Sequence, residues 1–171
     1  MTNFKEDLKK VKAFVFDVDG VLSTQVLNLN VNGDPMRTAN VKDGFALHQA
    51  VKAGYPIAII TGGDCPHVRK RFEKLGIKDI FMGSFDKVTP FKKWLEKTGF
   101  DAGEIMYMGD DLPDHPVMKH VGIPVAPADA AEEIKSLCKY ISDKNGGEGC
   151  VRDVIEQVLR VQGKWSVDIS W

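Results

Sequence analysis

The chain has 171 residues, 43% of them hydrophobic and 27% charged, with 23 basic against 24 acidic side chains for a formal net charge of -1. This is the balance of one ordinary globular domain spanning 1–171, and it excludes disordered and collagen-like classes. A charge so near neutral gives no bulk attraction for nucleic acid or a membrane, and no apolar run approaches the ~20 residues that span a bilayer.

From the N-terminus, Lys5, Lys9, Lys10 and Lys12 precede only Ala13-Phe14-Val15-Phe16 before Asp17, too little for a signal-peptide core. A cytoplasmic protein is expected. The 13–16 run reads as a buried strand, and Asp17-Val18-Asp19-Gly20 follows it. Two carboxylates one residue apart at a strand end point to the same side, and hard oxygen donors of this kind suit Mg²⁺. An EF-hand calcium loop would need Gly at position 22 and Glu at position 28, where Leu22 and Asn28 stand.

Next, Leu27, Leu29 and Val31 alternate with Asn28, Asn30 and Asn32, and Gly33 completes an Asn-Gly turn signal. This predicts a hairpin within about 24–40, with arms near 25–31 and 35–39. A lone two-stranded hairpin is marginal in water, so its apolar face is expected to pack on another subunit. A helix over 43–53 leads to a second strand, 57–60, which ends in Thr61-Gly62-Gly63, a hydroxyl and permissive backbone N–H groups where a phosphate can sit.

Further helices are predicted over 65–75, 88–97 and 113–120, with strands over 80–82, 105–108 and 123–126. Gly54, Gly76 and Gly99 serve as helix stops. Lys87 precedes the second of these helices, and Gly109-Asp110-Asp111-Leu112-Pro113-Asp114 closes the 105–108 strand. Gly146-Gly147-Glu148-Gly149 reads as a turn opening the last amphipathic helix. It is not a dinucleotide loop, because Arg152 stands at the third glycine position. The tail over 160–171 carries Trp165 and Trp171, which predicts that it docks on its own surface or on a neighbour. Cys65, Cys138 and Cys150 fit reduced thiols, and Cys65-Pro66-His67 lacks the second ligand pair of a zinc site.

Alternating strands and helices predict an α/β fold, a doubly wound parallel sheet, with ligands bound beyond the carboxyl ends of its strands. The acids gather at those ends, and their mutual repulsion calls for a cation and a lysine.

The order Asp17/Asp19, Thr61, Lys87 and Asp110/Asp111 resembles the four motifs of the haloacid dehalogenase superfamily of aspartyl-phosphate phosphatases. The resemblance implies Asp17 as nucleophile and Asp19 as general acid and base. It also implies that Thr61 and Lys87, with Gly62 and Gly63 beside them, hold the phosphoryl oxygens. Mg²⁺ would be bound by Asp17, Asp110 and the backbone carbonyl of Asp19, while Asp111 and Asp114 orient Lys87 or the metal's waters. Forty-one residues separate Asp19 from Thr61, and 25 separate Thr61 from Lys87, which leaves no room for a cap domain.

Over nearly its whole length the chain is similar to the small capless, tetrameric branch of octulosonate 8-phosphate phosphatases, enzymes of lipopolysaccharide precursor synthesis. The similarity runs through Lys42-Asp43-Gly44, Val125 to Ala130, Gly146 to Gly149 and Gln162-Gly163-Lys164. In that branch four hairpins form a central barrel and the tail reaches an adjoining site. Many octulosonate phosphatases carry Arg where this chain has Gly63, which keeps the related nonulosonate 9-phosphates open as substrates. Arg71 either pairs with a substrate carboxylate or lies on a helix surface. A phospho-receiver domain, whose acceptor aspartate should end the third strand, finds none in Phe81-Met82-Gly83-Ser84. A silent binding protein would have no need of Asp19.

Overall fold

A computed structural model describes residues 3–167. Six strands form one parallel sheet: β1 (Ala13–Phe16), β4 (Ile57–Ile60), β5 (Asp79–Phe81), β6 (Ile105–Met108), β7 (Ile123–Ala126) and β8 (Tyr140–Ile141). A separate antiparallel pair, β2 (Asn28–Leu29) and β3 (Pro35–Met36), is the hairpin. The sheet order is β5-β4-β1-β6-β7-β8. The chain leaves β1 toward one edge and later returns to β6 on the other side of β1. The crevice therefore opens at the carboxyl ends of β1 and β6, the switch point where such sheets bind ligands.

The four central strands, β1, β4, β6 and β7, are buried on both faces, and their side chains divide by the two-residue period. Phe14, Phe16, Ile57, Ile59, Met106 and Met108 face a core shared with α2 (Val41–Lys52), α3 (Pro66–Lys74) and α7 (Cys150–Val161). Ala13, Val15, Ala58, Ile60, Ile105 and Tyr107 face the other core, filled by Phe91 and Trp94 of α4 (Val88–Thr98) and by Val117 and Met118 of α5 (His115–Met118). At roughly 1.5–3 kcal/mol for each large side chain removed from water, these two layers hold the strand ends in register. Two short helices escape the periodic reading, α1 (Phe4–Leu8) and α6 (Glu132–Lys135), as does β8. Each is a single turn or a two-residue strand, too short to show a period.

The predicted 113–120 helix is shorter, α5 alone, preceded by a 3-10 turn over Leu112–Asp114. The hairpin arms are shorter too. Asn28 pairs with Met36 and Leu29 with Pro35. The loop between is built on Asn30, whose side-chain oxygen accepts from the Asn32 and Asp34 N–H groups at 2.9 Å each. That side chain competes with ladder pairing and ends the strand early. Trp165 folds back on its own domain, edge-on to Phe45 at 6.0 Å and under the Arg152 guanidinium at 4.7 Å. Trp171 lies outside the described residues.

Candidate active site

The crevice is a cleft of about 690 Å³ lined by Asp17, Asp19, Thr61, Lys87, Asp110 and Asp114, together with residues discussed below. Residues from five separate segments meet there because each segment ends or begins at the same edge of the sheet. Asp17 leaves β1 with its N–H still donating to the Met108 carbonyl at 3.1 Å, which extends the β1–β6 ladder into the site. Its Oδ1 accepts from the Val18 N–H at 2.6 Å, and its Oδ2 lies 2.7 Å from Lys87 Nζ. Gly20 then turns the chain at φ +78°, and a Cβ there would fall 1.9 Å from Asp110 Oδ2. Glycine is thus required twice over, for the turn and for the close approach of a second carboxylate.

Lys87 stands one residue before α4, where Asp86 caps the helix by accepting from the Val88 and Thr89 N–H groups at 3.0 and 3.4 Å. Its ammonium is buried between Asp17 and Asp114, 2.7 Å from each. Burial works to lower its proton affinity, and the two carboxylates outweigh that, so Lys87 titrates above an ordinary lysine. Asp114 is fully committed. Its Oδ1 also accepts from Tyr107 Oη at 2.7 Å, and its Oδ2 accepts from the Asp110 N–H at 3.1 Å. Asp111 is exposed, and its Oδ1 accepts from the Leu112 N–H at 2.8 Å. The lysine-orienting contact is therefore made by Asp114 and not by Asp111.

The oxygens of Asp17, Asp110 and Asp114 lie within 4.8 Å of one another, a group able to hold a metal ion. Burial, and next the charge of Asp114, raises Asp110 to about 7. Burial and Asp114 likewise push Asp17 well above the usual carboxylate range against the pull of Lys87. One lysine does not balance three buried acids, and hard oxygen donors crowded in this way fit a divalent cation. Asp114 already takes Lys87, the Tyr107 hydroxyl and the Asp110 N–H, and Asp17 takes Lys87 and the Val18 N–H, whereas the Asp110 carboxylate meets only Gln25 Nε2 at 3.5 Å and is the freest donor of the three.

Thr61 follows β4, with its N–H donating to the Phe81 carbonyl at 2.9 Å, and its hydroxyl accepts from the Gly63 N–H at 3.2 Å. Gly62 and Gly63 line the cleft beside it. Arg71 is not part of this site. It lies on α3 beside a small second cavity with Asn40, Asp43, Gly44 and Leu75, and it does not line the cleft. A Cβ on Gly44 would come 2.5 Å from its Nη2, so the side chain lies along the α2 surface within its own domain.

The lining residues that sequence reasoning missed include Arg37, Gln25, Phe85 and Asp129. Arg37 comes from the hairpin's return arm, Gln25 from its outgoing arm, Phe85 from the loop before Lys87, and Asp129 from the loop after β7. Gln25 donates to the Asp129 carbonyl at 2.8 Å, and Arg37 grips Asp19. No local pattern marks these residues, because the hairpin brings in Gln25 and Arg37, and irregular loops after β5 and β7 bring in Phe85 and Asp129.

Fold and site together define a hydrolase of the haloacid dehalogenase type. The family model for haloacid dehalogenase-like hydrolases matches residues 76–155. The 3-deoxy-D-manno-octulosonate 8-phosphate phosphatase of Salmonella typhi is 36% identical over 163 residues, 95% of this chain and 87% of that protein. The Moraxella catarrhalis phosphatase of the same name, solved in complex with magnesium, phosphate and a KDO molecule, superposes with a TM-score of 0.90 at 34% identity, covering 95% of this chain and 94% of that one. The cobalt-bound enzyme from Haemophilus influenzae gives 0.88 at 32% identity, covering 92% of each chain. This chain belongs to the haloacid dehalogenase-like hydrolases, in the family of the 3-deoxy-D-manno-octulosonate 8-phosphate phosphatases.

Proposed function

We propose that the protein hydrolyses 3-deoxy-D-manno-octulosonate 8-phosphate to the free acid sugar and inorganic phosphate. The observation that carries the reading is the Asp17 carboxylate on the cleft floor, paired at 2.7 Å with buried Lys87 and followed two residues on by a second carboxylate facing the same cleft. Asp17 is the nucleophile, attacking phosphorus as the bond to the sugar oxygen breaks. Asp19 gives its proton to that leaving oxygen, then takes one from the water that attacks the phosphoryl group on Asp17. Orthophosphate leaves and the Asp17 carboxylate is regenerated. Thr61, the Gly62 and Gly63 backbone, and Lys87 hold the non-bridging oxygens.

Asp17 and Asp110, with the backbone carbonyl of Asp19, would hold Mg²⁺. When bound, the ion offsets the repulsion between an anionic nucleophile and an anionic ester. Asp114 keeps Lys87 in place, and the protein's own task is positioning and charge balance, which dominate phosphoryl transfer. Removing the metal with a chelator is expected to abolish phosphate release, and adding Mg²⁺ back to restore it. Equal turnover with chelator present would contradict the reading.

Gly63 favours keeping a second substrate in view. Gly63 brings no side chain into the cleft, and a nonulosonate 9-phosphate fits the same chemistry. The hairpin supports a homotetramer. Val26, Leu29 and Val31 are 89%, 63% and 100% exposed, which is costly for an isolated protein. Among the described residues no helix is long and apolar enough to cross a membrane, and a cytoplasmic location accords with that.

A further inference from the structure

Arg37 makes a two-pronged contact with the Asp19 carboxylate. Its Nε donates to Oδ1 at 2.9 Å and its Nη2 to Oδ2 at 3.0 Å, while Nη1 donates to the Pro35 carbonyl at 3.1 Å. The arginine side chain is 12% exposed and that of Asp19 is 41% exposed, so the more buried partner holds the freer one. The backbone beside Arg37 is itself tied down. The Thr38 N–H donates to the buried Ser23 Oγ at 2.8 Å, and the Thr24 N–H donates to Thr38 Oγ1 at 3.1 Å. On its other side the guanidinium occupies space left by Gly63, where a Cβ would fall 2.6 Å from Nη2. A planar fork fixed at both ends sets the rotation of a carboxylate, which a single point charge does not.

We propose that Arg37 is the positioning residue for Asp19: the fork sets the rotation of the carboxylate, and when one oxygen takes up the proton destined for the leaving oxygen its contact to the guanidinium opens while the other holds the carboxyl in place, which links the hairpin to proton transfer. The proposal rests on the phosphatase reading above, in which Asp19 is the general acid. An acid aimed in this way matters in proportion to the leaving group's need for a proton. A sugar alkoxide needs one, whereas 4-nitrophenolate leaves as a stable anion.

The test compares kcat/KM, which reports the steps up to phosphoryl transfer, for two substrates in the full-length enzyme with Mg²⁺. For Arg37→Met the expected loss is about 10–100-fold on 3-deoxy-D-manno-octulosonate 8-phosphate, no more than the lower end of the ~10²–10⁴-fold that a positioned acid contributes in full, because the acid itself is still present, against about threefold on 4-nitrophenyl phosphate. Arg37→Lys should recover only part, since it keeps the charge without the fork. In an Asp19→Asn background, Arg37→Met should cost little more, because the group it aims is already gone. Equal losses on both substrates would overturn the proposal by showing that Arg37 acts on the phosphoryl group or the fold. Full activity of Arg37→Met on the sugar phosphate would also overturn it. Wild-type enzyme that hydrolyses the aryl ester and a nonulosonate 9-phosphate but not the octulosonate phosphate would sink the substrate reading alone, and the same comparison then decides Arg37 on the nine-carbon ester.

Discussion

Lys87 shows most directly what single residues contribute, because it is the one ammonium among the buried carboxylates of the cleft. Replacing it by Met leaves Asp17 and Asp114 facing each other without a counter-charge. Breaking a buried pair from one side costs about 3–5 kcal/mol. Urea unfolding of metal-free Lys87→Met should show a loss of that order, and a loss below about 1 kcal/mol would mean that the acids are protonated or solvated instead. Asp43 gives a pH dependence of known sign. It is buried, its Oδ1 accepts from the Arg152 N–H at 2.7 Å, its Oδ2 has no partner, and burial raises it to about 6. A raised carboxyl stabilises the fold at pH below its ordinary 3.8, and that share is lost as pH rises through about 6. Asp43→Asn should therefore flatten the fall in unfolding free energy between pH 4 and 7, by up to about 3 kcal/mol at 1.36 kcal/mol for each pKa unit. Identical slopes for both proteins would contradict the assignment. Asp17, Asp19, Thr61, Lys87 and Asp110 could be read from the chain because each sits at a strand end or beside a helix start, where a short apolar run locates it. Arg37 and Phe85 could not, since only the folded hairpin and loop bring them to the cleft.

At the scale of elements, the hairpin is the part that stands apart from the sheet. Its existence was legible in the alternation from Leu27 to Val31, and its length was not, because the Asn30 side chain takes over the backbone groups of the loop. Its exposed Leu29 and Val31 lead to an expected outcome at this scale. In sedimentation equilibrium at micromolar concentration the wild-type chain should be a tetramer, and Leu29→Asp with Val31→Asp should shift it to smaller species. A wild-type monomer would remove the hairpin's assembly role. Strands β1, β4, β6 and β7 matched their apolar runs because both faces are buried, which leaves no alternation to misread. By contrast β8 pairs with β7 at the sheet edge over two residues and carries no such signature.

For the whole molecule, the sheet order turns five distant sequence segments into one site. The same topology explains why Arg71, which follows Thr61 by a single helix, ends up elsewhere: α3 carries it away from the cleft toward α2. Among the described residues no cap domain covers the cleft, and Phe85, which lines it, is 85% exposed. Substrate choice therefore depends on few side chains. In the proposed reaction Asp17 carries the phosphoryl group of an eight-carbon acid sugar. This step is tested most directly by measuring phosphate release with Mg²⁺ from 3-deoxy-D-manno-octulosonate 8-phosphate and from a nonulosonate 9-phosphate side by side, with Asp17→Asn as the blank. Preferential turnover of the octulosonate ester, lowered at least about 10³-fold in Asp17→Asn, is the predicted result; undiminished turnover in the mutant, or none of either ester by the wild type, would contradict it.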